Sequence, residues 1–210
     1  MKNDSYRNVA GIYDRLFESM NRGLRLAAIK MFGPAKGMNV LDVGCGTGTF
    51  LELLQPHDCH LYGLDSSPSM LEVAHKRLGD TAKLDLGNAT DMPYEDANFD
   101  LIIAMQCLHE MALGTRSMAI TEMARVLKEA GSILLIDFRP GPVQPPQGWI
   151  SKAIILLSEL AAGREHFRNY RTFMANGGLA TLAAQHSLSV DKRRALAGGT
   201  FAIYLANKGQ

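Results

Sequence analysis

Apolar residues first gather in short unbroken runs: "NVLDVG" (39–44), "HLYGLD" (60–65) and "FDLIIAMQ" (99–106). Runs of this length without polar alternation are what strands buried on both faces require. Between them the apolar positions recur every three or four residues, the signature of helices with one buried face. "TGTFLELLQ" follows the first run. "SPSMLEVAHKRLG" follows the second, capped by Ser66 or Ser67 with Pro68 in its first turn. "AKLDLGNA" (82–89) reads as a short third strand and "FDLIIAMQ" as the fourth. "TRSMAITEMARVLKEAG" (115–131) is an amphipathic helix closed by Gly131, and "SILLIDF" (132–138) a fifth strand. Upstream, "IYDRLF" (12–17) and "LRLAAIKMF" (24–32) also have helical spacing, ended by Gly33-Pro34.

Strand–helix alternation with continuous apolar strands predicts an α/β protein with a Rossmann-like, doubly wound, mostly parallel sheet. The pattern changes after Phe138. "RPGPVQPPQG" (139–148) is an irregular connection, and two helical segments follow at roughly 149–163 and 165–186, the second interrupted at Gly177-Gly178. "LSVDKRRALAGGTFAIYLANK" (188–208) reads as two strands about Gly198-Gly199, an antiparallel hairpin that brings the sheet to seven strands. The expected organisation is one domain over 1–210: an N-terminal helical segment (1–36), a core (37–138), a helical cover (139–186) and closing strands (187–210).

Composition narrows the function classes. With 47% apolar residues and a formal net charge of +1 over 210 residues, disorder and charge-driven nucleic-acid binding are both disfavoured. Lys192-Arg193-Arg194 falls within a strand-like segment and reads as a solvated face. The N-terminus has no hydrophobic signal core, and "AIILLSELAA" (153–162) is too short to span a bilayer. Cys45, Cys59 and Cys107 are odd in number, form no C-x-x-C, and suit a cytoplasmic protein with reduced thiols. The sequence departs from a zinc-protease helix at "HEMAL" (109–113), which lacks the second His. "HDCH" (57–60) offers ligand types whose side chains diverge in a short loop. No metal site is expected.

The chemistry-bearing stretch is "VLDVGCGTGTF" (40–50). Gly44, Gly46 and Gly48 sit between a strand and a helix, where glycine permits a tight turn and close approach to a nucleotide. In G-x-G-x-x-G the third glycine would fall at Thr49, which leans away from a pyrophosphate-binding loop. Asp65 ends the second strand, where a carboxylate can accept both hydroxyls of a ribose from either cofactor class.

The motifs "VAGIYD", "VLDVGCGTG", "GLDSSPSML", "GNATDMPYEDANFDLI" and "LHEM", in this order over about residues 6–138, resemble the class I S-adenosylmethionine-dependent methyltransferases. The likeness is strongest to the small-molecule branch that includes the ubiquinone/menaquinone C-methyltransferases. It implies that Gly44, Cys45, Gly46 and Gly48 shape the loop around the methionine and ribose portions of S-adenosylmethionine, with S-adenosylhomocysteine as product. Asp42 would steady the loop or reach the amino group, Asp65 would bind the ribose, and Ser66 and Met70 would flank the adenine. Asn88-Ala89 stands where the family usually has Asp-Ala. An amide oxygen there can still accept from adenine, uncharged. Met105 would face the methionine portion through its backbone.

Methyl transfer from a sulfonium needs positioning and desolvation first, and a base only where the nucleophile arrives protonated. His109, just past the fourth strand, stands where such a base would act; a structural His tying down the loop is the other reading. The resemblance places Tyr13 in a lid across the methyl donor. His166 and Tyr170, four apart on one helical face, are candidate substrate contacts. The expected activity is methyl transfer to a small-molecule acceptor, aromatic, isoprenoid or lipid-like in view of "WISKAIILLSEL" (149–160), whose apolar surface serves a substrate cover or a homodimer interface. The alternatives are a cofactor-binding accessory protein of the same fold and, disfavoured by Thr49, a nicotinamide-dependent oxidoreductase.

Overall fold

The computed structural model describes the backbone of residues 10–209 and the side chains of 21–209. In chain order the elements are α1 (Ala10–Phe32), β1 (Asn39–Val43), α2 (Thr49–Leu54), β2 (His60–Asp65), α3 (Pro68–Leu78), β3 (Ala82–Leu86) and β4 (Phe99–Met105). They continue with α4 (Leu113–Val126), β5 (Leu127–Phe138), α5 (Gln147–Ala161), α6 (Arg164–Ala175), α7 (Gly178–Gln185), β6 (Leu188–Leu196) and β7 (Phe201–Lys208). One seven-stranded sheet has the order β3-β2-β1-β4-β5-β7-β6. β1 to β5 pair in parallel, whereas β7 runs antiparallel to both β5 and β6. The expected α/β, doubly wound, mostly parallel architecture with a C-terminal antiparallel hairpin is the one observed.

The unbroken apolar strands are central. Val40, Leu41, Ile102, Ile103, Leu134 and Ile136 are fully buried between helical layers. The chain steps outward from β1 to β2 and β3, then returns to β4 on the other side of β1. The carboxyl ends of β1 and β4 therefore diverge at a switch point, where a doubly wound sheet opens a crevice. Ser67, of the two serines weighed, caps α3: its Oγ accepts from Met70 N (3.2 Å), with Pro68 in the first turn. Tyr62, Tyr94 and Phe99 pack edge to face, and Tyr94 Oη donates to Asp85 Oδ2 (3.1 Å).

One boundary differs from the sequence reading. The helix before β5 ends at Val126, and Leu127–Gly131 are already extended. Leu127 is fully buried and registers against Phe99, while Lys128 Nζ donates to Asp100 Oδ1 on β4 (2.8 Å). A Cβ on Gly131 would stand 2.7 Å from Leu127 Cδ1, so this glycine admits a strand neighbour and does not cap a helix. The interruption at Gly177-Gly178 separates α6 from α7. β6 is the sheet edge, exposed along nearly its whole length and irregular between Val190 and Lys192. Among the described residues no helix is long and apolar enough to cross a membrane.

Candidate functional site

A cavity of about 330 Å³ lies at the carboxyl ends of β1, β2 and β4, walled on one side by α1. Its floor is the turn after β1. Gly44 N and Cys45 N both donate to Leu64 O, and Gly48 N to Cys45 O, so the loop folds back against β2. Gly44 has φ +73°, and a Cβ there would meet Cys107 Cβ at 2.8 Å: the turn after β1 and the loop after β4 touch. Gly46, at φ +53°, has nothing among the described residues within 4 Å of a Cβ position, leaving its face open in the cavity wall.

Asp65 holds this loop. Its Oδ2 accepts from Gly46 N (2.8 Å) and its Oδ1 from Ser67 N (2.9 Å), joining the glycine turn to the start of α3. The carboxylate lines the cavity, where it can accept from hydroxyl donors. Asp42 lies deeper, 2% exposed, and among the described residues its Oδ1 has no hydrogen-bond partner; neither has Oδ1 of the buried Asn21, across the same cavity. Burial pushes the Asp42 carboxyl up to about 7, against the Arg25 cation and helped by the Asp65 charge.

Of the residues singled out in the sequence, Asp42, Gly44, Cys45, Gly46, Asp65, Ser66, Met70, Asn88, Ala89 and Met105 all line this one cavity. Gly48 does not. At φ +79° it precedes α2, and a Cβ would stand 2.7 Å from Leu78 Cδ1, so it lets α2 pack against α3. Asn88 Oδ1 accepts from Thr90 N (3.1 Å), engaging the oxygen that the resemblance assigns to adenine in its own turn. The Tyr13 side chain falls outside the described ones. Asn21, Arg25, Gln106, Cys107, Glu110, Met111 and Thr115 also line the cavity and were not singled out. Asn21 and Arg25 stand one turn apart on α1, a spacing that reads as a solvated face. Gln106 adopts φ +54° directly after β4, a conformation that no sequence signal marks outside glycine. The thiols of Cys45 and Cys107 are pushed well up by burial and do not supply a thiolate.

His109 is placed differently from a base at the cavity. It is 3% exposed, its ring is packed against Phe138 and Tyr170, and it is not part of the cavity wall. Its Nδ1–H donates to Asp137 Oδ1 (2.7 Å), its backbone N to Asp137 Oδ2 (3.1 Å), and Phe138 N to Asp137 Oδ1 (2.7 Å). Burial alone would lower its pKa. The adjacent Asp137 carboxylate and its hydrogen bond, with Glu110 and Glu159, outweigh that and raise it to about 9 in the metal-free chain. This is the arrangement of a histidine that fixes its loop. His166 and Tyr170 belong to the same buried group and not to the cavity wall: His166 Nε2 lies 2.9 Å from Glu159 Oε2. No residue of 139–186 lines the cavity.

The cavity's residues fit S-adenosylmethionine. Two buried acceptors on Asn21 and Asp42, without donors among the described residues, match a cationic amino group. Asp65 matches a ribose, and the open face of Gly46 matches a ligand that must come close to the backbone.

Residues 40–131 match the methyltransferase domain family. A demethylmenaquinone methyltransferase of Clavibacter sepedonicus is 30% identical over 144 residues, 66% of this chain and 58% of the relative. The ajmaline N-methyltransferase of Rauvolfia serpentina is 34% identical over 108 residues, 49% of this chain and 36% of the relative. The chain thus spans about half the length of such curated relatives. Among solved structures, a methyltransferase in complex with the Trm112 methyltransferase activator of Haloferax volcanii superposes with a TM-score of 0.73 at 15% identity, covering 100% of both chains. That likeness speaks to the fold.

Proposed function

We infer, from a chain that resembles the class I S-adenosylmethionine-dependent methyltransferases in fold, in residues 40–131 and in its cofactor loop, that it transfers a methyl group to a small-molecule acceptor. The observation that carries this reading is the pair of buried acceptors on Asn21 and Asp42, unpartnered among the described residues, in the same cavity as the Asp65-tied glycine loop. When bound, the cofactor supplies a methyl group already activated on a sulfonium.

The residues of the chain then bind, orient and exclude water. Asp42 and Asn21 receive an ammonium group, Asp65 a ribose, and Met70 and Ala89 give apolar walls at the adenine end. The carboxylates of the site would act on orientation and binding, and rate would come chiefly from alignment of the acceptor. Glu110 lines the cavity beside Met111 and is a carboxylate to which an acceptor hydroxyl or amine could pass a proton; His109, behind it, holds the loop. Trp149, Ile154 and Leu157 of α5 point outward, with Trp149 65% exposed, and so offer an apolar face to a second copy.

Calorimetric titration tests the binding step. S-adenosylmethionine and S-adenosylhomocysteine should bind one per chain while NADH does not. Incubation of a metabolite extract with methyl-labelled cofactor should then yield a labelled small molecule. NADH binding in preference to S-adenosylhomocysteine would overturn the reading; cofactor binding without any labelled product would favour an accessory protein of the same fold.

A further inference from the structure

The mechanism leaves one buried group of ionisable side chains unused. His109 follows β4, Glu159 comes from α5 and His166 from α6, and one ligand-type atom from each lies within 4.8 Å of the others. His109 Nε2 is 3.6 Å from Glu159 Oε1, and His166 Nε2 is 2.9 Å from Glu159 Oε2. Glu110 Oε1 lies 4.0 Å from His166 Nε2, on the side of the group toward the cavity.

As a chain of hydrogen bonds the arrangement is poor. A separation of 3.6 Å is too long for one. Glu159 Oε2, on a residue only 5% exposed, makes no aligned hydrogen bond although His166 Nε2 is close. All three ligand-type atoms lie within 4.8 Å of one another, so small side-chain shifts would bring them onto one cation. Nitrogen and oxygen donors at about 2.0–2.1 Å from a metal stand roughly 3.0–3.4 Å apart, depending on geometry.

A further observation gives the group its direction. His109 Nδ1 is fixed by Asp137 Oδ1, and both Asp137 oxygens are themselves held by backbone N–H groups of His109 and Phe138. Asp137 thus orients the ring so that Nε2 faces Glu159, as a carboxylate behind a metal-bound imidazole does. The donor set, two imidazoles and a carboxylate with no thiolate, suits a borderline divalent ion.

We propose that His109 Nε2, Glu159 and His166 Nε2 bind one Zn²⁺, the ion displacing any Nε2 proton to solvent, oriented by Asp137, with the remaining coordination position open toward Glu110. The ion clasps α5 and α6 to the loop after β4. The proposal stands on side-chain geometry and does not depend on methyl transfer.

The test uses the full chain, stripped with EDTA and dialysed. Calorimetry should find one Zn²⁺ per chain, and Co²⁺ should give the visible absorption of a low-symmetry nitrogen/oxygen site that Zn²⁺ bleaches. The thermal midpoint should rise with Zn²⁺ and fall back with EDTA. His166→Ala and Glu159→Gln should each weaken binding by roughly 100-fold or more, and Asp137→Asn by roughly 10- to 100-fold. His166, at the partly exposed rim, keeps the test informative if the Glu159 variant misfolds. The double variant His57→Ala/His60→Ala should bind as the parent does. Absence of stoichiometric binding at micromolar Zn²⁺ would overturn the proposal, as would binding that survives His166→Ala with undiminished affinity or is lost with His57 and His60.

Discussion

Asp42→Asn isolates the strongest electrostatic feature of the cavity. In the unfolded chain the Asp42 carboxyl ionises near 3.8, and in the folded chain burial raises it to about 7. Between these values the native state holds the proton that the unfolded state has released, so stability falls as pH rises through this window and levels off above the folded value. Three pKa units at 1.36 kcal/mol each amount to about 4 kcal/mol at pH 8.5. Roughly 3 kcal/mol of that develops between pH 5 and 8.5, and the rest is already present at pH 5. The asparagine variant carries no such penalty. Urea unfolding of both proteins at pH 5 and 8.5 should show the variant gaining about 3 kcal/mol on the parent between the two pH values, all other titrations cancelling. Cofactor affinity reads the same proton with the opposite sign. An ammonium needs the ionised carboxylate, so affinity for S-adenosylhomocysteine should climb about tenfold per pH unit from 5 to 7 and then level. A stability difference between the two proteins that stays constant across pH would refute the assignment of a protonated Asp42 to the unliganded protein.

Asp65→Ala removes both the tie to Gly46 N and the acceptor for a ribose, and should weaken S-adenosylhomocysteine binding by about 100-fold in calorimetry, from charge-assisted bonds of roughly 1.5–3 kcal/mol each. Gly48→Ala places a Cβ at φ +79° against Leu78, so it should cost about 2–4 kcal/mol in urea unfolding while the m-value is unchanged. Arg125→Ala removes guanidinium bonds to Met92 O, Tyr94 O and Glu122 that pin the segment leading into β4. It should lower stability by about 1–3 kcal/mol and speed amide exchange across residues 92–98.

The fold was legible in this sequence because a parallel sheet covered on both faces leaves runs such as "FDLIIAMQ" with no other use. The helices between them show their period cleanly. "VLKEAG" was not legible: Leu127 satisfies a helix period as well as a strand face, and only its register against Phe99 decides. In the cavity, residues carried by the strand ends and the glycine turn could be read off, since strand termini converge at the switch point of the sheet. Its other wall could not. Asn21 and Arg25 look like an ordinary polar helix face, and Gln106 and Glu110 reach the cavity through a loop conformation that composition does not encode. For His109, the position beside the expected reaction centre follows from the sequence while its orientation is set by Asp137, twenty-eight positions on in β5, which favours the loop-fixing one of the two readings. His109, Glu159 and His166 come from three separate elements, so no local spacing announces their convergence.

The exposed edge formed by β6 carries a consequence for assembly. Its unpaired backbone groups are a template on which another sheet could extend, and such edges invite fibre-like growth. Lys192, Arg193 and Arg194 occupy the middle of that edge next to its irregularity at Val190/Lys192, and two such edges brought together would set six cations side by side. The basic run therefore acts as a gatekeeper. It works against strand addition, and replacing those three residues with threonine should increase aggregation as read by light scattering.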